Sequence, residues 1–384
     1  MWAVFVSPDT DAKTVRAQGA LTRLVGSRAL PVRHSRGTRM LTFDGVPTTI
    51  IGSLPGVSPI DALDLLDRYP LTIPAWPQLP KRSFKEGMVG QFSEGFPGVR
   101  VDEQQRKFWI EQDADLPGHF ADFYERVLSG SAESFAVSAG YAAGLAAFLE
   151  RRGSEAQKLR AVKGQVAGPF TVGLSISDQT GRAAWFDDQY RDVLIKALAK
   201  KAVWQAGRLS SIADRVIIFF DEPIFAALGT PAYIGISDDD VTNTYSELCE
   251  ELHGAGVILG VHCCGNMDWS LLARSSIDIL SFDAYSFGDK VALYASEINS
   301  FLLRGGWLAW GLVPTGNPEL VGRASTAHLV KKWDGLAALL EQKGIARDRL
   351  ISQMLLTPSC GMGTLPMRSA ERVLELLHQL RQEF

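Results

Sequence analysis

Three observations predict that the chain folds as a single (β/α)8 TIM barrel, with long active-site loops at its C-terminal mouth. The chain has 384 residues, a length that single α/β barrels commonly reach. From about residue 48 onward, short apolar runs alternate with amphipathic helical segments, which is the pattern of parallel βα units. About eight such runs can be counted, and that number favours a closed barrel over an open sheet.

The predicted strands are bounded by Gly, Pro and polar residues. They are Thr48–Ser53, Leu71–Trp76, Val162–Val172, Arg215–Asp221, Val257–His262, Ile277–Asp283, Trp307–Leu312 and Leu350–Thr357. The predicted helices between and after them are Phe120–Leu128, Phe186–Ile212, Val241–Leu252, Lys290–Leu303, Thr326–Gln342 and Arg368–Arg381.

Composition places the chain among globular proteins that act on small molecules or proteins. Apolar residues make up 46% of the sequence and charged residues 21%, and the net charge is −4. An acidic chain without a polybasic stretch predicts neither nucleic-acid nor membrane binding. Because no apolar run approaches the roughly 20 residues that span a bilayer, and the first six residues are too short for a signal peptide, we expect a cytoplasmic protein.

Residues 1–40 are expected to lie outside the barrel, which would then span residues 41–384. Between residues 12 and 39 the sequence contains several arginines and almost no acidic residues. This N-terminal arm is interpreted as a surface arm, with a transit-like segment or a mis-assigned start as alternatives.

Chemically active side chains follow several of the predicted strands. The ends of parallel strands meet at the C-terminal mouth, where barrel active sites lie. Ser53, Asp221, His262, Asp283 and Cys360 all occupy such positions. The Gly- and Pro-rich stretch Lys81–Val101 exceeds a usual connection and is a candidate lid or binding loop.

His262, Cys264 and Cys360 form a predicted metal site. His262 and Cys264 alternate along an extended segment, so both side chains can point to the mouth, and Cys360 follows the last strand. Imidazole and thiolate are ligands that Zn²⁺ prefers, and catalytic zinc sites keep three protein ligands and an exchangeable position. Asp283 is a candidate for a weaker fourth ligand.

Each of these residues also has a structural interpretation. A strand histidine is usually satisfied within the core, and a buried cysteine often acts as a small hydrophobe. Cys263 and Cys264 lack the C-x-x-C spacing of a redox pair, and alternation turns Cys263 away from its neighbours. Cys249 falls in a helical pattern and is expected to be inert.

The sequence resembles the C-terminal catalytic barrel of cobalamin-independent methionine synthase, within the superfamily that also holds uroporphyrinogen decarboxylase. The motifs that carry the resemblance are Ile51-Gly52-Ser53-Leu54-Pro55, Asp221-Glu222-Pro223, His262-x-Cys264-Gly265-Asn266, Ile279-Leu280-Ser281-Phe282-Asp283 and Pro358-Ser359-Cys360-Gly361.

The resemblance implies a zinc site and an amino-acid site. Its zinc ligands would be His262, Cys264, Asp283 and Cys360, although Asp283 stands where the family has a glutamate and reaches one methylene less far. It also implies that Ser53 and Asp221 hold the amino-acid part of homocysteine, and that Glu94 binds its amino group.

Two departures from the family argue against folate as the methyl donor. The full-length synthase has an additional N-terminal barrel, for which we expect no room here, and its Asp-Ile-His turn after the seventh strand is replaced by residues 311–316. The resemblance therefore favours a methylated corrinoid or corrinoid protein as donor.

The sequence thus predicts a zinc-dependent thiol S-methyltransferase that makes methionine from homocysteine. Three alternatives remain: a related corrinoid methyltransferase with another thiol acceptor such as coenzyme M, a metal-free uroporphyrinogen decarboxylase-like enzyme, and a non-enzymatic barrel with a structural zinc. The identity of the donor, the acceptor and the oligomeric state do not follow from the sequence.

Overall fold

The computed structural model of the protein describes residues 43–230, 233 and 235–384. The predicted N-terminal arm of residues 1–40 lies outside the described residues. The strands are β1 Val99–Asp102, β2 Lys107–Ile110, β3 Val162–Ala167, β4 Val216–Asp221, β5 Ile258–Cys263, β6 Ile279–Phe282, β7 Trp307–Val313 and β8 Met354–Pro358.

Helices surround and connect these strands. The α-helices are α1 Pro59–Arg68, α2 Met88–Phe92, α3 Leu116–Leu128, α4 Ala143–Gly153, α5 Pro169–Ser175, α6 Asp188–Leu209, α7 Asp238–Gly254, α8 Trp269–Arg274, α9 Ala284–Val291, α10 Ala295–Leu303, α11 Pro318–Arg323, α12 Thr326–Glu341, α13 Arg347–Ser352 and α14 Met367–Leu380. Short 3₁₀ helices cover Phe84–Glu86, Ala132–Phe135, Ala184–Phe186, Pro223–Ala227, Ala292–Tyr294 and Arg381–Glu383.

A parallel sheet of six strands forms the centre of the fold. Strands β3 to β8 pair with one another in chain order, all in parallel. Every residue of these strands is buried, as expected for a parallel sheet covered on both faces. The predicted α/β class and six of the predicted strands are therefore confirmed.

The first two predicted strands, Thr48–Ser53 and Leu71–Trp76, are not formed as strands. Thr48 makes a single parallel bridge with Leu356 of β8, and Ala75 makes one with Lys163 of β3. The first segment bends at Gly52, whose φ of +152° is reached easily only by glycine. After this bend Ser53 bridges to Gln78, so neither segment keeps one neighbour long enough to form a strand.

A side chain of α6 replaces the missing strand partner beside β3. The segment that contains Ala75 departs from β3 after its one bridge, and the Gln78 amide donates to the Gly52 carbonyl instead. The buried Gln205 amide then accepts from the Gln165 N–H at 3.0 Å and donates to the Gln165 carbonyl at 3.0 Å. Gln205 Oε1 also accepts from the Trp76 indole at 2.9 Å, so these buried polar groups are all paired.

Several predicted boundaries were wrong, each for a local reason. The predicted strand Val162–Val172 ends at Ala167 because Pro169 begins α5, a position that suits proline. The predicted strand Leu350–Thr357 begins only at Met354, after α13 has ended.

The region 81–110 contains short regular elements instead of one long loop. A 3₁₀ turn and α2 occupy its first half, and the antiparallel hairpin β1–β2 follows. Within the described part of the chain, no helix combines the length and apolarity needed to cross a bilayer.

We predict that Gln205→Ala destabilises the fold by about 3 kcal/mol, because the Gln165 backbone and the Trp76 indole would lose buried hydrogen-bond partners. Gln189→Ala, at an exposed position of the same helix, is the matched control. Urea denaturation followed by circular dichroism measures both variants. Equal midpoints for the two would show that the Gln205 hydrogen bonds contribute no stability.

Candidate metal centre and adjoining polar groups

Three polar side chains lie side by side on neighbouring strands because of the sheet register. Asp221 of β4 pairs with His262 of β5, and His262 pairs with Ser281 of β6. Side chains of register partners in a parallel sheet point to the same face. The carboxylate, the imidazole and the hydroxyl therefore share one face of the sheet near its C-terminal edge.

The structure brings together the three predicted cysteine and histidine ligands. One donor atom from each of His262, Cys264 and Cys360 lies within 4.8 Å of the other two. His262 is 2% exposed, while the two cysteines are half-buried. The group thus joins a buried imidazole to two cysteines that are not fully buried.

Ser53 fixes the turn that carries Cys360. Its hydroxyl accepts a hydrogen bond from the Gly363 amide at 3.1 Å, and its carbonyl accepts one from the Met362 amide at 2.8 Å. A Cβ at position 361 would lie 2.2 Å from the Ser53 hydroxyl oxygen, so only glycine fits there. Ser53 thus has a structural role in placing the cysteine.

The two half-buried cysteines perturb each other. A hydrogen bond from the Cys360 thiol lowers the pKa of Cys264 to about 4, and His262 acts in the same direction although burial opposes both. The same contact, together with burial, raises the pKa of Cys360.

Cys263 is not part of this group. Its thiol is fully buried and faces the Gly265 carbonyl at 3.6 Å. Burial raises its pKa to about 12, which leaves it a poor metal ligand.

The donor set fits a zinc ion. His262 Nδ1 lies 2.9 Å from the Ser281 hydroxyl, whereas His262 Nε2 is buried without a hydrogen-bond partner. An unpaired buried nitrogen is costly unless something binds it. One imidazole nitrogen with two thiol sulfurs is a ligand combination typical of catalytic zinc sites.

Asp283 occupies a different role from the other predicted ligands. It is the N-cap of α9, where its Oδ1 accepts a hydrogen bond from the Ser286 amide at 2.7 Å. Burial raises its pKa, although the Ser286 contacts and His262 oppose this. Among the described residues, the group of mutually close donors contains His262, Cys264 and Cys360 but does not contain Asp283.

Asp221 is a buried carboxylate with an unpaired oxygen. It is 4% exposed, and its Oδ1 has no hydrogen-bond partner. Burial raises its pKa to about 6, while the positive charge of Lys163 and the neighbouring His262 hold it down. The unpaired Oδ1 can therefore accept a hydrogen bond from a ligand.

Lys163 is the buried cation that accompanies Asp221. Its ammonium donates to the Ile51 carbonyl at 2.6 Å and to Gln165 Oε1 at 3.1 Å, and it lies 4.7 Å from the centre of the Phe219 ring. Burial lowers its pKa to about 8, against the attraction of Asp221. The positive charge of the lysine, in turn, favours the ionised form of the carboxylate.

Glu222 connects the strand ends to two helices. Its Oε2 accepts from the Thr171 amide at 2.8 Å and from the Thr171 hydroxyl at 2.6 Å, and its Oε1 accepts from the Tyr245 hydroxyl at 3.2 Å. Burial raises the pKa of Glu222 to about 7, and these donors oppose the shift. Its own amide donates to the His262 carbonyl at 2.8 Å, so the same residue fixes the backbone of a predicted ligand.

The contacts of Glu94 are with Ser138, Lys201 and Tyr141. Its carboxylate accepts a hydrogen bond from the Ser138 amide at 2.8 Å. Its charge also acts on Lys201 and Tyr141. None of these three partners belongs to the group of His262, Cys264 and Cys360.

Sequence reasoning missed Ser281, Glu222 and Lys163 as parts of this site. Lys163 carried a signal, because a lysine within an otherwise apolar buried strand needs a partner. Glu222 and Ser281 occur in the sequence motifs quoted above, but the motifs do not indicate what these side chains contact. The contact of Ser281 with His262 depends on the register between two strands.

Comparisons with known proteins find a similar fold but no matching sequence family. No protein-family model matches the sequence, and no curated protein matches it. Among solved structures, a B12-independent methionine synthase from Shewanella sp. W3-18-1, in complex with selenomethionine, matches 88% of this chain and 98% of its own, with 16% identity and a TM-score of 0.53. A methyltransferase from Methanosarcina mazei matches 91% of this chain and 96% of its own, with 17% identity and a TM-score of 0.49.

The similarity to the Shewanella structure confirms the expected resemblance at the level of the fold. It covers most of both chains, so it extends beyond the strands that surround the candidate site. At 16% identity it carries no information about activity, and fold alone does not determine function.

Proposed function

We propose that the protein is a zinc-dependent methyltransferase that transfers a methyl group to the thiol of homocysteine and so makes methionine. The observation that carries the proposal is the convergence of His262, Cys264 and Cys360 on one point at the strand ends. A metal-free decarboxylase would not need this donor set. A structural zinc would need a fourth firm ligand, whereas Asp283 is engaged as a helix cap.

In this proposal the three ligands hold zinc, and the neighbouring polar groups orient the substrate. Zinc held there would bind the homocysteine sulfur and stabilise it as a thiolate, the form that attacks a methyl group. Asp221 would accept hydrogen bonds from the substrate ammonium through its unpaired Oδ1. Lys163 keeps Asp221 ionised, and orientation of this kind lowers the barrier to transfer.

Ser53, Asp283 and Glu94 have narrower roles in the proposal. Ser53 holds the turn that contains Cys360 in place through its hydrogen bond with Gly363. It would contact the substrate carboxylate while it keeps this position. Asp283 would become a fourth ligand only by giving up its cap of α9. Glu94 would reach the substrate amino group only if it left Ser138.

We propose a methylated corrinoid or corrinoid protein as the donor. In the transfer, the sulfur–carbon bond forms as the cobalt–carbon bond breaks, the electron pair stays on cobalt, and the thiol proton goes to solvent. A folate donor would need an acid to protonate its leaving nitrogen. Residues 311–316, at the end of β7 and in the turn after it, include no acidic residue and no histidine. The hydroxyl of Thr315 in this turn is hydrogen-bonded to the Ser359 hydroxyl at 3.1 Å.

We also propose that the six strands and the two bridged segments close into one eight-membered barrel. The bridges from Thr48 to β8, from Ser53 to Gln78 and from Ala75 to β3 support this closure. Each bridge lies between neighbours that would be adjacent in such a ring.

We predict that Cys264→Ser and Cys360→Ser each abolish binding of one equivalent of zinc, because a hydroxyl is a much weaker zinc ligand than a thiolate. Cys263→Ser is the matched control and should keep the metal, since its thiol faces Gly265. Zinc content after dialysis, measured by mass spectrometry, tests all three. Retention of zinc by both ligand variants would refute the metal centre.

The donor is tested by turnover with homocysteine as acceptor. We expect methionine to form from methylcobalamin or a methylated corrinoid protein, and not from methyltetrahydrofolate, because the turn after β7 offers no acid. Addition of coenzyme M as a competing thiol tests the identity of the acceptor. If coenzyme M is methylated and less methionine forms, a thiol other than homocysteine is favoured as the acceptor. Efficient turnover with methyltetrahydrofolate alone would contradict the proposed donor.

We predict that Asp221→Asn raises the KM for homocysteine about 10- to 100-fold, because a hydrogen bond to a charged group contributes roughly 1.5–3 kcal/mol. Zinc content should stay unchanged. Asp334→Asn, at an exposed surface ion pair, is the control. A variant with lower thermal stability but an unaltered KM would show that Asp221 serves only to pair with Lys163.

A further inference from the structure

We infer that Ser281 is a positioning residue that fixes the orientation of the His262 ring for metal binding. The inference rests on the metal centre proposed above and adds a residue that is not itself a ligand. It is carried by the contact between Ser281 Oγ and His262 Nδ1, at 2.9 Å.

The contact is buried and fixed by the backbone. Ser281 is fully buried and His262 is 2% exposed, so water does not compete freely for the ring nitrogen. The two residues are register partners on β5 and β6. The hydroxyl therefore faces the imidazole in every conformation that keeps this part of the sheet intact.

The other ring nitrogen has the environment that a ligand nitrogen needs. His262 Nε2 is buried and makes no hydrogen bond, and the imidazole lies next to the Cys264 and Cys360 sulfurs. A neutral imidazole carries its proton on one nitrogen and a lone pair on the other. In the tautomer whose Nδ1–H donates to the Ser281 hydroxyl, the lone pair is on Nε2, the ring nitrogen that has no hydrogen-bond partner.

Loss of the hydroxyl would remove this anchor. Nδ1 would be buried without a hydrogen-bond partner, which favours a rotated ring. Rotation takes the ring nitrogen away from the position in which it can bind the metal. Partners of this kind typically change metal affinity by about 10- to 100-fold.

The first test is zinc affinity, measured by competition with a chromophoric chelator. We expect Ser281→Ala to weaken zinc binding about 10- to 100-fold, and Ser281→Thr, which keeps the hydroxyl, to bind as the wild type does. Ser275→Ala is the matched control, because it removes a buried serine hydroxyl that bonds only to the backbone of α8 and Ile277. It should leave the affinity unchanged.

The second test does not require the metal. In metal-free protein with ¹⁵N-labelled histidine, assigned with the His262→Gln variant, we expect the His262 ring signals of Ser281→Ala to shift relative to those of the wild type. Ser275→Ala should keep the wild-type His262 signals. A loss of stability alone would not move this signal.

The outcomes separate this inference from the proposed function. If the wild type binds zinc and Ser281→Ala binds it equally well, or Ser275→Ala loses as much affinity, the role of Ser281 is refuted and the metal centre stands. If the wild type binds no zinc, both are refuted. His262 ring signals that are the same in metal-free Ser281→Ala as in the wild type would refute the positioning role directly.

Discussion

The register of the parallel sheet is the constraint on which the site depends. Asp221, His262 and Ser281 are neighbours only because β4, β5 and β6 pair as they do. A shift of one residue would turn each of these side chains to the opposite face. The apolar residues that alternate with these polar residues along each strand must stay in the core, and they oppose such a shift. Packing of the core therefore also determines the geometry of the polar groups.

The polar groups around the site have hydrogen-bond partners, whereas two atoms of the site have none. Glu222 accepts hydrogen bonds from Thr171 and Tyr245, and Lys163 is paired with the Ile51 carbonyl. In contrast, Asp221 Oδ1 and His262 Nε2 are buried without partners. Each such atom costs about 1–3 kcal/mol when it is left unpaired. A ligand that bound both atoms would offset this cost.

Most of the parallel sheet and three donors of the site could be predicted from the sequence. Strands such as β7 are continuous apolar runs, and His262 with Cys264 shows the alternation of an extended segment. These signals are local, so a single sequence contains them. The convergence of Cys360 followed from one further assumption, that the strand ends share one edge.

The remaining features depend on contacts between distant segments. The bend at Gly52 results from side chains of Gln78 and Gln165 that occupy the space of a Cβ, and neither is near it in sequence. The contact between Ser281 and His262 likewise requires the register of two strands. Asp283 was predicted as a ligand because it follows a strand, and the same position makes it the N-cap of α9, where its carboxylate accepts a hydrogen bond from the backbone.

The hydrogen bonds of Gln205 have a consequence for how this sequence can vary. Backbone groups are the same in nearly every residue type, so ordinary strand pairing survives most substitutions. At Gln165 the pairing partner is instead a side-chain amide on α6, and only a residue with both a donor and an acceptor can replace it. A homologue in which the segment around Ala75 followed β3 further would have no use for that amide. Position 205 and the segment 74–78 are therefore expected to covary, although one lies in a helix and the other beside the sheet.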